Sequence, residues 1–144
     1  MNIEQILDEW AKDTDIDRDR LSEESLNISK LHSKYYRIYV KCKMRLIKLQ
    51  SDKKELLKTL HEYYEGILDK EELDEMGRKP MNLRILKGDI PKYIDADKAY
   101  IELNLKTSME QEKVSLVESI IKSLHQRGFD IRNAIEFEKF RAGG

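Results

Sequence analysis

Apolar side chains recur every three or four residues through the middle of the chain, which is the spacing of one face of an α-helix. The stripe consists of Ile28, Leu31, Tyr35, Ile38, Tyr39, Cys42, Leu46, Leu49, Leu56, Leu57, Leu60, Tyr63 and Tyr64. It is interrupted at Lys53, and no proline or glycine occurs before Gly66. The pattern predicts one long amphipathic helix over residues 19–65, with Asp17 or Asp19 as its N-cap.

The length of this helix predicts self-association. At about 1.5 Å per residue it spans roughly 70 Å, whereas a compact domain of this chain length has a radius of gyration of about 14–15 Å. A second, shorter apolar strip lies on the opposite side of the helix and consists of Tyr36, Val40, Met44 and Ile47. Two apolar faces predict two sets of neighbours, which a closed ring of protomers would supply to every subunit.

Shorter helices are predicted on both sides of the long one. They cover residues 3–12, Lys70–Met76 between Asp69 and Gly77, about 96–126 between Asp95 and Gly128, and Ile131–Arg141 after Asp130. Residues 81–87 show only a weak strand-like alternation, and Pro91 fits a helix start or a turn. The predicted fold is all-α and forms one domain in three segments: 1–65, an irregular connector at 66–95, and C-terminal helices at 96–144.

Charge is segregated along the chain although the net charge is only −1. Residues 1–29 hold nine acids and three bases, whereas residues 30–58 hold ten bases and two acids. A basic block of this kind can be the electrostatic footprint of a polyanion.

The sequence indicates a cytoplasmic protein. Its one cysteine, Cys42, cannot form an intrachain disulfide, which suits a reducing compartment. The N-terminal residues have neither the basic region nor the apolar run of a signal peptide, and no apolar stretch approaches the roughly 20 residues of a membrane span. We therefore expect no membrane association.

Catalytic and cofactor motifs are absent from the sequence. The three histidines are scattered without a metal-ligand spacing, and the glycines form no phosphate-binding loop. Cys42 lies on the apolar stripe, where a buried thiol is expected, and carboxylate pairs such as Glu71-Glu72 are typical of a solvated surface. The sequence therefore predicts neither an enzyme nor a metal or cofactor site.

The basic block forms a stripe on the long helix. At 100° per residue, six cations fall within an arc of about 80°, and these are Lys30, Lys34, Arg37, Lys41, Arg45 and Lys48. A looser second row consists of Lys43, Lys54 and Lys58. Like charges at this spacing repel by roughly 0.2–0.5 kcal/mol per pair, which a negative partner would relieve. The residues predicted to contact DNA are Lys34, Arg37, Lys41, Lys43, Arg45, Lys48, Lys53, Lys54 and Lys58.

Two alternatives to DNA binding stay open for this stripe. Acids of the segment Asp8–Glu24 could balance the lysines within the chain, or the helix could dock on an acidic protein, as in a structural or adaptor coiled coil. Three tyrosines lie among the cations and could stack on unpaired bases. Tyr35 and Tyr39 belong to the apolar stripe, so core packing is expected for them, and Tyr36 is the more open candidate.

Short motifs, taken in order along the chain, resemble the UvsY recombination mediators of T-even-type phages. They are Ser33-Lys34, Lys43, Lys53-Lys54, Leu57-Lys58, Tyr63-Tyr64-x-Gly66, Arg127-Gly128-Phe129 and Phe140-x-Ala142-Gly143. The resemblance covers nearly the full chain and is weakest over residues 66–95.

The resemblance implies a ring-like homo-oligomer, a hexamer or heptamer, that binds single-stranded DNA without using a nucleotide. It implies as partners a RecA-like recombinase of the UvsX type and the phage single-strand-binding protein, in the cytoplasm of a bacterial host. The DNA-contact motif of the family is Lys-x-Arg, which here becomes Lys58-Thr59-Leu60, so the arginine is lost and His61 follows. The self-association part of the family maps onto Val114–Phe140.

Overall fold

The structure is a computed structural model that describes residues 1–143, and its regular elements are helical throughout that range. The helices are α1 (Ile3–Asp13), α2 (Leu21–Glu65), α3 (Lys70–Met76), α4 (Ile90–Asp95) and α5 (Lys98–Arg141), with 3-10 turns at Arg18–Arg20 and Lys87–Asp89. No strand occurs among these described residues, and the predicted all-α fold class is confirmed.

The long central helix is unbroken, as the apolar periodicity predicts. It is α2, whose 45 residues continue through Lys53 without a break. Asp17 caps the 3-10 turn that leads into it, where its side chain accepts a hydrogen bond from the Asp19 backbone N–H. Gly66 ends the helix with a φ of 76°, a left-handed conformation that favours glycine.

Local capping interactions also determine where the shorter helices begin and end. Asn2 and Gln5 form a capping box at the start of α1. Asp69 caps α3 through a 2.8 Å bond from the Glu72 backbone N–H, and Gly77 ends it with a φ of 67°, which confirms the predicted Lys70–Met76 helix. Residues 66–95 are therefore more ordered than a plain connector, since α3, a 3-10 turn and α4, which has proline in its first turn, all lie there.

The C-terminal part corrects two predictions. The predicted helix end at Gly128 is wrong, because α5 runs continuously from Lys98 to Arg141. Asp130 therefore caps no new helix, and its carboxylate accepts a 3.2 Å hydrogen bond from Gln126 one turn earlier. The predicted cap Asp95 is also wrong, because Asp97 accepts from the backbone N–H groups at the start of α5. The buried residues before and after Gly128 explain the continuity, since they lie on one apolar stripe: Val117, Ile120, Leu124 and Ile131.

Gly128→Ala is expected to stabilise the chain by about 0.5–1 kcal/mol, because glycine inside a helix loses more backbone freedom than alanine. The added methyl group would meet only Ile28 Cδ1, at an ordinary contact distance of 3.9 Å. Urea denaturation followed by circular dichroism measures the difference. A destabilised variant would mean that Gly128 ends a helix, as the sequence alone suggested.

The chain divides into two compact units, with α2 and α5 each contributing residues to both. Unit 1 comprises residues 1–44 and the chain from Glu110 onward, and unit 2 comprises Arg45–Met109. The core of unit 1 contains Ile6, Leu31, Tyr35, Val117, Ile120 and Leu124. The core of unit 2 contains Leu60, Ile90 and Ile94. The prediction of one domain in three segments stays a prediction.

None of the helices in the described range is long and apolar enough to cross a membrane.

Candidate nucleic-acid interface

Exposed cations on the first half of α2 are the main charged feature of unit 1. Arg37, Lys41 and Lys43 are exposed, as is Lys30, and none of them forms an ion pair with another residue in the described part of the chain. Their charges are therefore available to a ligand.

Lys34 has a different environment from its neighbours on the stripe. Its ammonium group contacts Glu9 Oε2 at 2.7 Å and Asp13 Oδ2 at 2.5 Å, both on α1. Burial alone would lower the pKa of Lys34, but the hydrogen bonds to these two carboxylates raise it above its ordinary value. Acids of the N-terminal segment therefore do balance the stripe at this position.

Asp13 is the centre of a polar cluster that the sequence did not reveal. Its Oδ2 also accepts a 2.8 Å hydrogen bond from the Tyr35 hydroxyl. Arg127 is buried and donates to the backbone carbonyls of Asp13 and Thr14 at 2.9 and 2.7 Å, with its guanidinium over the Trp10 ring. Arg127 thus satisfies carbonyls at the end of α1. The motif Arg127-Gly128-Phe129 marked the residue without indicating this role.

The tyrosines of α2 divide as the helical angle predicts. Tyr35 is fully buried in the core of unit 1, where it contacts Trp10 edge to face, whereas Tyr36 is 51% exposed. The Tyr36 ring lies 5.8 Å from His32 at an interplanar angle of 12° and 5.9 Å from Tyr39 at 30°. Tyr39 is half-buried and its hydroxyl faces Glu118 at 3.4 Å. The open tyrosine is therefore Tyr36.

The cations of unit 2 are less uniformly available than the sequence suggested. Arg45, Lys54 and Lys58 are exposed. Lys48 faces Asp52 one turn later at 3.4 Å, an exposed pair of small energetic weight. Lys53 is half-buried, donates a 2.7 Å hydrogen bond to Asn104 Oδ1 and lies over the Tyr100 ring.

The segment Lys58-Thr59-Leu60 near the end of α2 carries one positive charge, that of Lys58. Lys58 is exposed, whereas Leu60 is fully buried and belongs to the core of unit 2 with Ile90 and Ile94. His61 forms an i,i+4 contact with Glu65. Leucine at position 60 therefore contributes to the core in this chain, and Lys58 alone presents a cation from the motif.

A second buried cluster anchors unit 2, and the sequence pattern gave no sign of it. Asp97 accepts two hydrogen bonds from the Arg78 guanidinium, at 2.7 and 2.8 Å, and one from the Tyr64 hydroxyl at 2.6 Å. Burial alone would raise the pKa of Asp97, but these donors hold it at about 2. The cluster joins the end of α2, the segment after α3 and the start of α5.

The described residues contain no group of three or more histidine, cysteine, aspartate or glutamate side chains placed to hold a metal ion.

Exposed cations next to stacked, solvent-facing rings are typical of proteins that bind single-stranded nucleic acid. Comparison with known proteins shows which family of such proteins the chain belongs to. The chain belongs to the UvsY family, described as "Recombination, repair and ssDNA binding protein UvsY", whose model matches residues 9–144.

A curated relative and several solved structures agree with this assignment. The recombination protein uvsY of Enterobacteria phage T4 is 25% identical over 143 residues, which cover 99% of each chain. A crystal structure of the bacteriophage T4 recombination mediator protein UvsY (lattice type II) matches with a TM-score of 0.87 at 24% identity, covering 99% of this chain and 98% of that one. A second lattice, type IV, gives a TM-score of 0.86 at 23% identity, covering 97% and 99%. These structures confirm the fold.

Proposed function

We propose that this chain is a recombination mediator that binds single-stranded DNA through the exposed cations of α2. The observation that supports the proposal most directly is the group of exposed cations on unit 1, including Arg37, Lys41 and Lys43, none of which has an acidic partner among residues 1–143. Their mutual repulsion within one helix favours binding of a polyanion. Membership of a family described as single-strand binding supports the same ligand.

The predicted contact residues divide by their surroundings. The proposed phosphate contacts are Arg37, Lys41 and Lys43 in unit 1, and Arg45, Lys54 and Lys58 in unit 2. Three further predicted residues contact identified polar groups: Lys34 contacts Glu9 and Asp13, Lys48 contacts Asp52, and Lys53 contacts Asn104. For Lys34 the proposed role is to anchor α1.

The mediator function needs partners beyond DNA. In the proposed mechanism the chain helps a RecA-like recombinase of the UvsX type to load onto DNA that the phage single-strand-binding protein already covers. It uses no nucleotide in this step. Holding the strand through several weak contacts would allow transfer to the recombinase, because such contacts exchange one at a time.

Self-association into a ring would supply those several contacts. Large apolar side chains are exposed on the helices of unit 1, and the most exposed are Leu26, Met44 and Phe140. Exposed apolar surface of this kind is typical of protein interfaces. The predicted hexamer or heptamer stays a prediction.

Fluorescence anisotropy of a labelled oligonucleotide tests the proposal. We expect binding that favours the single strand over a duplex of equal length and that weakens steeply with salt, with a slope of about −0.7 per phosphate contact. Adding the recombinase to DNA coated with single-strand-binding protein should give faster filament assembly when the chain is present. Absence of DNA binding even at low salt would contradict the proposal and favour an adaptor whose basic helix docks on an acidic protein.

A further inference from the structure

A shallow depression on unit 1 brings an exposed aromatic surface next to two exposed cations. It is lined by His32, Ser33, Tyr36, Arg37, Val40 and Lys41. His32 and Tyr36 are one helical turn apart, and their rings lie nearly parallel with centroids 5.8 Å apart. Tyr36 also lies 5.9 Å from Tyr39, at an interplanar angle of 30°. At these centroid distances the three rings are offset from one another, so 51% of the Tyr36 side chain stays exposed, and His32 is exposed beside it. The exposed parts of these two rings are accessible to a planar ligand.

The charges at this depression match a nucleotide rather than an apolar ligand. Arg37 and Lys41 are one turn apart, are exposed and have no ion-pair partner within the described range. A ligand that fits must therefore combine a flat ring with negative charge at its edge. An unpaired nucleotide has this chemistry, whereas the bases of a duplex are already stacked and offer no free face.

A neighbouring depression shares His32 and adds a cation from α5. It is lined by Ile28, Ser29, His32, Ile121, Lys122, Leu124 and His125. Lys122 is exposed and forms no ion pair with a described residue. Positive charge therefore lines both depressions that His32 borders.

We propose that His32 and Tyr36 form a stacking platform for an unpaired nucleobase, with Arg37, Lys41 and Lys122 contacting the adjoining phosphates. The inference rests on the proposed single-strand binding and extends it, because it assigns the preference for single strands over duplex to base stacking on Tyr36. Stacking is tolerant of sequence, since every base has an aromatic face. The platform therefore distinguishes single strands from duplex but does not distinguish one base sequence from another.

Replacing Tyr36 tests the platform. Tyr36→Leu removes the ring and keeps an apolar side chain, so we expect the dissociation constant for a single-stranded oligonucleotide to rise roughly fivefold or more. Duplex affinity and the salt slope should stay unchanged, because no cation is removed. Tyr36→Phe keeps the ring and should bind like the unmodified chain. Tyr93→Leu, which removes another partly exposed tyrosine, is the matched control.

An abasic oligonucleotide separates stacking from a structural role of Tyr36. The unmodified chain should bind the abasic strand more weakly than the normal strand, and Tyr36→Leu should bind the abasic strand as the unmodified chain does. If the unmodified chain binds single strands but Tyr36→Leu binds them equally well, the platform is overturned and the proposed function stands. Weaker binding of the abasic strand by Tyr36→Leu, or a changed oligomer mass in light scattering, would overturn it in favour of a structural or interface role. Failure of the unmodified chain to bind any single strand would overturn both.

Discussion

Asp97→Ala is expected to lower the free energy of unfolding by about 3–5 kcal/mol, the range for removing one partner of a buried ion pair. The carboxylate is buried and accepts hydrogen bonds from the Arg78 guanidinium, the Tyr64 hydroxyl and the first turn of α5. Without it, the guanidinium keeps its charge in a partly buried position and the Tyr64 hydroxyl loses its acceptor. Both effects destabilise unit 2.

Urea denaturation of the variant and of Asp95→Ala measures this effect. Asp95 is an exposed aspartate two residues earlier, so its replacement should change the free energy of unfolding by less than about 0.5 kcal/mol. Equal stabilities of the two variants would show that the Arg78–Asp97 ion pair contributes nothing net.

The Asp97 carboxylate should also make the free energy of unfolding depend on pH in the acid range. The pKa of Asp97 is about 2 in the folded chain, against an ordinary value of 3.8. Its contribution is therefore fully present above about pH 4 and declines as the pH falls toward 2, because the unfolded chain takes up the proton first. The decline amounts to roughly 2 kcal/mol, and it should disappear from the pH profile of Asp97→Ala.

Reversing two charges, Arg37→Glu together with Lys41→Glu, is expected to weaken single-strand binding by at least about tenfold at moderate salt. Removing each phosphate interaction should also reduce the magnitude of the salt slope by about 0.7 per subunit engaged. Both side chains are exposed and unpaired in the described chain, so the fold should tolerate the change. Anisotropy titrations at several salt concentrations measure both quantities.

A charge-matched variant controls for net charge. Lys70→Glu with Lys106→Glu reverses two exposed lysines outside the predicted DNA-binding residues and makes the same change in charge. It should bind nearly as the unmodified chain does. If the two double variants weaken binding equally, the contribution comes from overall charge and the assignment to α2 is wrong.

The parts of the fold that were predicted correctly depend on neighbours in sequence. The apolar repeat of α2 and the Asp69 and Gly77 caps are local signals, and each appears in the structure where the pattern placed it. Gly128 is also a local signal, but it led to the wrong prediction of a helix end, because the buried stripe on both sides of it favours a continuous helix. Tertiary packing outweighed the roughly 1 kcal/mol that a glycine costs inside a helix.

In the candidate site, too, the sequence predicted the features that depend on local spacing and missed those that depend on distant contacts. The helical angle was enough to separate the buried Tyr35 from the open Tyr36. It could not show that α1 would place Glu9 and Asp13 against Lys34, since that depends on residues 25 and 21 positions apart in sequence. Nor could it identify Asp97 or Arg127, which resemble ordinary surface charges until the fold buries them.

The hydrogen bonds of Arg127 to the end of α1 have a consequence for the order of folding. They join Arg127 to carbonyls 114 and 113 residues earlier, and unit 1 draws on both ends of the chain, whereas unit 2 is one continuous segment. Synthesis proceeds from the N-terminus, and interactions so distant in sequence form slowly because a long loop must close first. All of unit 2 is therefore made before the C-terminal residues of unit 1 exist. The N-terminal helix can contact Lys34 and Tyr35 of α2 early in synthesis, whereas Arg127 can reach the carbonyls at its end only after most of the chain has been made.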